Sequence, residues 1–326
     1  MNSAALARPP VLVSLLGQWN TRQPWVVSCL RSWARLRGTA ADWHVVSDGT
    51  LEQEDVAALA AQLPHLKIHF EEGLEERVAK ALAAHPAITN LRRKNIVWRK
   101  LIDCALAGAD ETNPRLLIDT DVMVRRPVLL PGGDSLPPIV YQLDEISGYQ
   151  GSWRAAWREP MVVSCNSGFV LFRPRLIDFD FLEYVARNYL PPGRDLWWSE
   201  QFAWSLLAGR TEAPHFWEGA SAAVVCGYKT RTQAEIVANR VKFFSRKSRL
   251  VTDAQMRERC GDIPVIHLAG ISKHLFTALL PGEDGVEPEL LRMRLDTPLN
   301  FSEKIAVSSR LLLKELGDRT IAPPPG

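Results

Sequence analysis

The stretch Leu116-Leu117-Ile118-Asp119-Thr120-Asp121-Val122-Met123-Val124 decides how this chain is read. Three apolar residues run into two carboxylates one residue apart, and three more apolar residues follow. Such a run is a buried strand that stops at Asp119, and open α/β sheets gather their ligands at the carboxyl ends of strands. In an extended segment the side chains at i and i+2 point the same way. Asp119 and Asp121 are therefore expected to turn convergent hard oxygens on a divalent cation. A solvated turn after a strand accounts for so short a pattern equally well, so its surroundings must arbitrate.

Upstream, short apolar runs alternate with helical patterns, the sequence sign of βαβ units. Val11 to Leu16 reads as a first strand and Trp25 to Leu36 as a helix. His44-Val45-Val46 is a strand that ends in the turn Ser47-Asp48-Gly49. Leu51 to Leu63 is an amphipathic helix, Leu66 to Phe70 a third strand, Asn95 to Ala107 a helix and Arg115 to Ile118 the strand before the acidic pair. Downstream, Pro131-Gly132-Gly133 and Pro137-Pro138 mark loops. Ile139 to Leu143 and Phe169 to Phe172 read as strands, with helices from Phe181 and from Glu200, and helical stretches between Leu290 and Leu316.

Composition narrows the function. At about 150 residues per domain, 326 residues make roughly two domains, or one large α/β domain with appendages. An apolar share of 46% supports a full core. Lys+Arg 39 against Asp+Glu 37 leaves +2, which argues against nucleic acid as the main partner, since neutralising phosphates needs a basic excess. Cys29, Cys104, Cys165, Cys226 and Cys260 are scattered with no CxxC pair, so they read as buried thiols of a reducing compartment. The longest apolar runs fall short of the ~20 residues that span a bilayer, and a cytoplasmic protein is expected.

Three further stretches carry polar groups at the ends of apolar runs. His267-Leu268-Ala269-Gly270-Ile271-Ser272-Lys273 delivers an imidazole, then a glycine, then a cation. An imidazole beside two carboxylates suits Mn²⁺ better than cations that prefer all-oxygen shells, and a lysine near the metal would neutralise a diphosphate. Cys165-Asn166-Ser167-Gly168 precedes an apolar strand, so the Asn166 amide can face a cleft while Gly168 permits close approach. Ser199-Glu200-Gln201 opens a helix, with Ser199 as a reasonable N-cap. Each stretch alone also has a purely structural explanation.

Together, and in this order, the four stretches resemble the metal-dependent glycosyltransferases of the GT-A fold. The similarity is greatest to the glycogenin-like retaining group, glycosyltransferase family 8, and extends over roughly residues 10 to 276. The resemblance implies an α/β fold, a Rossmann-like nucleotide-diphospho-sugar transferase with a mixed central sheet flanked by helices. It implies a domain over 1–276, with a nucleotide-binding half at about 10–125 and a sugar and acceptor half at 126–276. Residues 277–326 would form a C-terminal helical extension and tail. By the same resemblance Asp119, Asp121 and His267 bind Mn²⁺, with Mg²⁺ as the alternative. Gly270 and Lys273 contact the diphosphate of the donor, and Asn166 with Gly168 holds the sugar. Asp144, Glu200 and Gln201 lie near its reacting face, Lys100 lies beside the nucleotide, and Asp48 lies near the base or ribose. Two departures stand out: His274-Leu275 follows Lys273 where the group continues Pro-Trp, and the acidic-Gln pair is Glu200-Gln201.

The implied reaction is transfer of a hexose from a nucleotide sugar, expected to be UDP-linked, with retention. If the reaction inverts instead, Glu200 or Asp144 is the candidate base. The acceptor, whether glycan, lipid-linked sugar, protein or small molecule, is not readable. Trp153, Trp157, Trp197, Trp198, Trp204 and Trp217 are either stacking platforms or core. Lys242, Arg246, Lys247 and Arg249 are either a solvated face or a contact to an anionic acceptor or membrane surface. Rival readings are a haloacid-dehalogenase-like phosphatase and a non-catalytic nucleotide-sugar-binding protein. The first would place its DxD on the first strand with Thr or Val four residues on, where Met123 stands here. The second would be expected to lose metal ligands first.

Overall fold

Strands of Val, Leu and Ile with no polar face belong in the middle of a sheet covered on both sides. The computed structural model describes residues 9–39, 42–64, 67–70, 73–108, 112–132, 136–144, 151–190, 199–227, 232–241, 250–277, 279 and 286–321. Among them the strands are, in chain order, β1 (Val11–Leu16), β2 (Leu36–Arg37), β3 (Asp42–Ser47), β4 (Lys67–Phe70), β5 (Arg115–Ile118), β6 (Val122–Val124) and β7 (Val128–Leu129). They continue as β8 (Ile139–Leu143), β9 (Cys165–Phe172), β10 (His215–Trp217), β11 (Ala222–Val225), β12 (Val265–Leu268), β13 (Glu289–Leu290) and β14 (Met293–Leu295).

Eight of these form one mixed sheet in the order β14-β10-β8-β9-β5-β1-β3-β4. β4, β3, β1 and β5 are parallel, as the βαβ pattern requires. β9 then runs antiparallel to both β5 and β8. Both faces are covered. Val11, Val13 and Leu117 point into a core shared with the helices Leu74–Ala81, Trp98–Leu106, Phe179–Tyr189 and Ser199–Gly209. Leu12, Leu16, Leu116 and Ile118 point the other way, onto the helices Pro24–Ser32 and Gln53–Gln62. The expected mixed α/β sheet flanked by helices is therefore present. Two three-stranded sheets, β11-β12-β6 and β13-β7-β2, complete the fold.

Three local expectations change. The acidic pair does not continue β5 in an extended segment. Val122 N–H donates to the Asp119 carbonyl at 2.9 Å, so the chain turns there to leave the large sheet for the β11-β12-β6 sheet. The Asn166 stretch does not precede a strand; β9 already begins at Cys165. Its pairing with β8 jumps from Val140↔Leu171 to Gln142↔Asn166, so residues 167–170 stand opposite Tyr141 alone. An irregularity of this kind bends the strand and re-aims its side chains. Finally, part of the stretch expected to be helical supplies the short edge strands β13 and β14 before the helix Phe301–Ile321. Short apolar runs fit either period, and Leu290 and Leu295 remain exposed on these edges.

No helix among the described residues is long and apolar enough to cross a membrane. The helix carrying Glu200 is seated by its last residue, Gly209. A Cβ there would lie 2.4 Å from Met161 Cα and 2.5 Å from the Pro160 carbonyl oxygen, both backbone atoms. Gly209→Ala is thus expected to cost about 1–3 kcal/mol, by forcing those segments apart. Thermal unfolding should show a Tm lower by several degrees. An unchanged Tm would mean that this helix is not packed as closely as described.

Candidate functional site

Asp119 ends β5, and its N–H donates to the Gly168 carbonyl at 2.8 Å. The tight turn then swings Asp121 toward β12, where Leu268 N–H donates to the Asp121 carbonyl at 3.0 Å. His267 lies within β12, in register with Val122 of β6. One ligand atom each from Asp119, Asp121 and His267 lies within 4.8 Å of the others. The turn and the β12–β6 pairing therefore bring the three together, rather than the alternation of an extended strand.

Asn166 sets the imidazole. Its Oδ1 accepts the Gly168 N–H at 2.8 Å, which fixes the oxygen at that end of the amide. The contact of 3.0 Å between the same Oδ1 and His267 Nδ1 must then have the imidazole as donor. Nε2 is left facing Asp121 Oδ1 at 3.1 Å. An imidazole held at Nδ1 by an oxygen acceptor presents Nε2 as a ligand. Two carboxylates and this nitrogen form a donor set that fits Mn²⁺. Gly168 makes the approach possible, since a Cβ there would lie 2.3 Å from the imidazole Cε1 and Nδ1.

Each carboxylate carries a lysine. Lys100 Nζ, from the helix Trp98–Leu106, donates to Asp119 Oδ2 at 2.8 Å and to Ser167 Oγ at 3.0 Å. Lys273 Nζ, from the short helix Gly270–Thr277, pairs with Asp121 Oδ2 at 3.0 Å. Burial alone would push the Asp121 carboxyl up, but the His267 and Lys273 charges outweigh it and hold the group far below its ordinary range. Burial likewise works against the charges of His267 and Lys100, and the neighbouring carboxylates raise both in spite of it.

A second layer lies behind. Ser167 Oγ donates to Glu200 Oε2 at 2.9 Å, and Trp204 Nε1 donates to Oε1 at 2.7 Å. Glu200 is 2% exposed with both oxygens engaged, and burial raises its carboxyl while Lys100 lowers it. Glu200, expected near the reacting face, also stands as a counter-charge to Lys100. Ser199 is the first residue of the helix that carries Glu200, and its hydroxyl accepts the Trp98 indole N–H at 2.8 Å. Gln201 is half-buried, and among the described residues its amide oxygen has no hydrogen-bond partner.

Asp144 follows β8. Its Oδ2 accepts from Asn166 Nδ2 at 3.0 Å, and its N–H donates to the carbonyl of Ser164, a residue at φ 55°. Gln142, two residues back on β8 and opposite Asn166, is fully buried, with neither amide atom paired among the described residues. Gly270 has φ +62°, and a Cβ there would make an ordinary contact of 3.9 Å to the Cys226 carbonyl oxygen, so conformation rather than close approach calls for glycine there. Asp48, beyond β3, is half-buried and accepts from Thr50 N–H and Oγ–H. It lies over Gly17, where a Cβ would come within 2.0 Å of Asp48 Oδ2.

Among the tryptophans, Trp204 and Trp217 are core, Trp153 is half-buried and Trp157 lies at the surface against Phe301. Trp197 and Trp198 fall outside the described residues, as do Lys242, Arg246, Lys247 and Arg249. Sequence reasoning gave Ser167, Gln142 and Gly17 no role and left Trp204 between stacking platform and core. Ser167 had a signal in its place between Asn166 and Gly168.

No family model matches the chain, and no curated protein matches it in sequence. Solved structures do. The galactosyltransferase LgtC in complex with donor and acceptor sugar analogues is 15% identical, with 82% of this chain and 94% of that one covered and a TM-score of 0.47. Mouse xyloside xylosyltransferase 1 in its apo form is 14% identical, with 79% and 96% covered and a TM-score of 0.43. The bifunctional glycosyltransferase WbbM, also apo, is 11% identical, with 83% and 47% covered and a TM-score of 0.38.

Lys100 is the cation that Asp119 and Glu200 share. Lys100→Met should cost about 3–5 kcal/mol near neutral pH, because it leaves buried carboxylate charge uncompensated. Glu200 already has a raised pKa in the folded state, so its penalty is present above that pKa and disappears as protonation proceeds below it. The deficit relative to wild type should therefore shrink as the pH is lowered from neutrality into the acid range. Urea unfolding at neutral and at acid pH checks this; an equal deficit at each would make Lys100 a packing residue only.

Proposed function

We propose that the protein is a metal-dependent glycosyltransferase that moves a hexose from a nucleoside diphosphate sugar, UDP-linked by expectation, to an acceptor hydroxyl. One observation carries the reading. Asp119, Asp121 and His267 converge with Lys100 and Lys273 beside the carboxyl end of a parallel strand. A chain that needed only a solvated turn there would have no use for an imidazole oriented through Asn166 or for a half-exposed lysine. The order of the four sequence stretches, and their resemblance to the glycogenin-like group, support the same reading.

Asp119, Asp121 and His267 would hold Mn²⁺, or Mg²⁺ in its place, which when bound supplies a Lewis acid to the departing diphosphate. Lys273 would donate to the diphosphate oxygens, adding positive charge where negative charge develops. Gly270 leaves room beside it. Asn166 orients His267 with one end of its amide and Asp144 with the other. Asp144, Asn166 and Gln201 are the polar groups we assign to the hexose, with Gly168 holding the floor close. Lys100 and Glu200 keep Asp119 in place from behind. Asp48 remains our assignment for the base or ribose.

Retention is the course that the resemblance to the glycogenin-like group implies, and Glu200, buried with a hydrogen bond on each oxygen, is poorly placed to take an acceptor proton. If the reaction inverts, Asp144 is the base. The buried free thiols fit a reducing compartment, and a cytoplasmic location belongs to the same proposal.

Calorimetric titration of UDP and GDP, with Mn²⁺ and then with EDTA, tests the reading. Nucleotide should bind only with the metal. Asp121→Ala should lose more than the roughly 10–100-fold typical of outer-shell metal partners, with circular dichroism unchanged. Equal affinity in EDTA, or in the variant, would refute the metal site.

A further inference from the structure

Lys273 has a second neighbour that the proposed chemistry does not use. Its Nζ sits 5.0 Å from the ring centroid of Trp25, within cation–π range, while it pairs with Asp121 on its other side. Trp25 occupies the first turn of the helix Pro24–Ser32, whose start is set by a proline at a position that needs no N–H donor. The Trp25 ring also stacks on Phe276 at 5.3 Å and 11°, and Phe276 belongs to the same short helix as Lys273. Trp19, 63% exposed, meets the ring edge-on at 6.4 Å. One indole therefore touches that short helix twice, through a ring and through an ammonium.

A lysine side chain that is 37% exposed would ordinarily spread its charge over many rotamers in water. Here it is confined between an aromatic face and a carboxylate. That carboxylate is the one offered to a divalent cation, so ammonium and metal compete for Asp121. A phosphate group would draw the same ammonium toward itself, and the indole would keep it within reach.

We propose that Trp25 is a positioning residue. Its ring holds the Lys273 ammonium at Asp121, which weakens binding of a bare divalent cation and strengthens binding of the cation together with a diphosphate. The proposal rests on the roles given above to Asp121 and Lys273. It predicts effects of opposite sign, which lost packing cannot produce.

Trp25→Leu, Trp25→Phe and Lys273→Gln would be compared with wild type for Mn²⁺ alone, by the electron paramagnetic resonance of the free ion, and for UDP and GDP at saturating Mn²⁺ by calorimetry. Trp25→Leu should bind Mn²⁺ alone about two- to fivefold tighter and nucleotide about three- to tenfold weaker, the range a cation–π contact supports. Trp25→Phe, which keeps a ring face, should stay within about twofold of wild type in both. Lys273→Gln should move both affinities in the same directions as Trp25→Leu, and further. If Trp25→Leu weakens both ligands and lowers Tm while Trp25→Phe fails to rescue it, Trp25 is packing and the proposal falls. It also falls, with the glycosyltransferase reading intact, if Lys273→Gln shifts the affinities and Trp25→Leu does not. A wild-type protein that binds Mn²⁺ but no nucleotide overturns the glycosyltransferase reading and the diphosphate half of this proposal, and the Mn²⁺ arm then decides the other half. Failure to bind either ligand overturns both.

Discussion

Asp119 and Asp121 lie at the junction of two sheets, Asp119 partly exposed and Asp121 buried, and each is paired with a lysine. Burial alone would push the Asp121 carboxyl up, and its cationic neighbours keep it ionised. Much of the surrounding architecture follows from supplying that compensation. The helix Trp98–Leu106, which also buries Asp103 against Arg92, must present Lys100 inward from an otherwise mainly apolar buried side. Lys100 reaches Ser167, Ser167 reaches Glu200, and Glu200 is clamped by Trp204. The charge pattern alternates along this line, so each buried ion has an opposite neighbour.

Alternation along β9 is what carries that line through the sheet. Ser167 reaches Lys100 and Glu200 on the helix side, while Asn166 and Gly168 lie against His267. The strand leaves β8 at residues 167–170 and pairs with β5 up to Ile118. The glycine is needed because an imidazole ring lies where its Cβ would be. Asn166 is the joint between the two sheets, with one amide end on Gly168 and His267 and the other on Asp144.

Much of this was legible in the sequence. The parallel strands β1, β3 and β5 were marked by apolar runs with turn residues behind them, and the acidic pair by the place where such a run stops. The identity of His267 as a partner for Asp119 and Asp121 was legible only through the order of the motifs, because 146 to 148 residues separate them along the chain (267 − 121 = 146; 267 − 119 = 148). What was not legible has a common cause. The turn at Asp119–Val122, the irregular pairing in β9 and the burial of Glu200 are set by contacts between distant segments. An i, i+2 spacing looks the same in a strand as in a turn. Likewise Glu200-Gln201 opening a helix says nothing of which face that helix buries, and here Trp204, one turn on, claims the carboxylate.

The small sheet has a single demanding task, to keep His267 in register with Val122. A slip of one residue in β12 would turn the imidazole to the other face. β6 is only three residues long and would hold that register poorly alone. It is held from outside the sheet: Trp33 Nε1 donates to the Val122 carbonyl at 3.0 Å, and Val124 N–H donates to Ser32 Oγ at 2.9 Å. Both side chains sit at the end of the helix Pro24–Ser32, whose first turn carries Trp25 against Lys273. One helix therefore fixes β6 with its last turn and the Lys273 ammonium with its first. A displacement of this helix would disturb the ligand set and the lysine together, which is why the functional geometry of the site depends on a segment that contributes none of its charged groups.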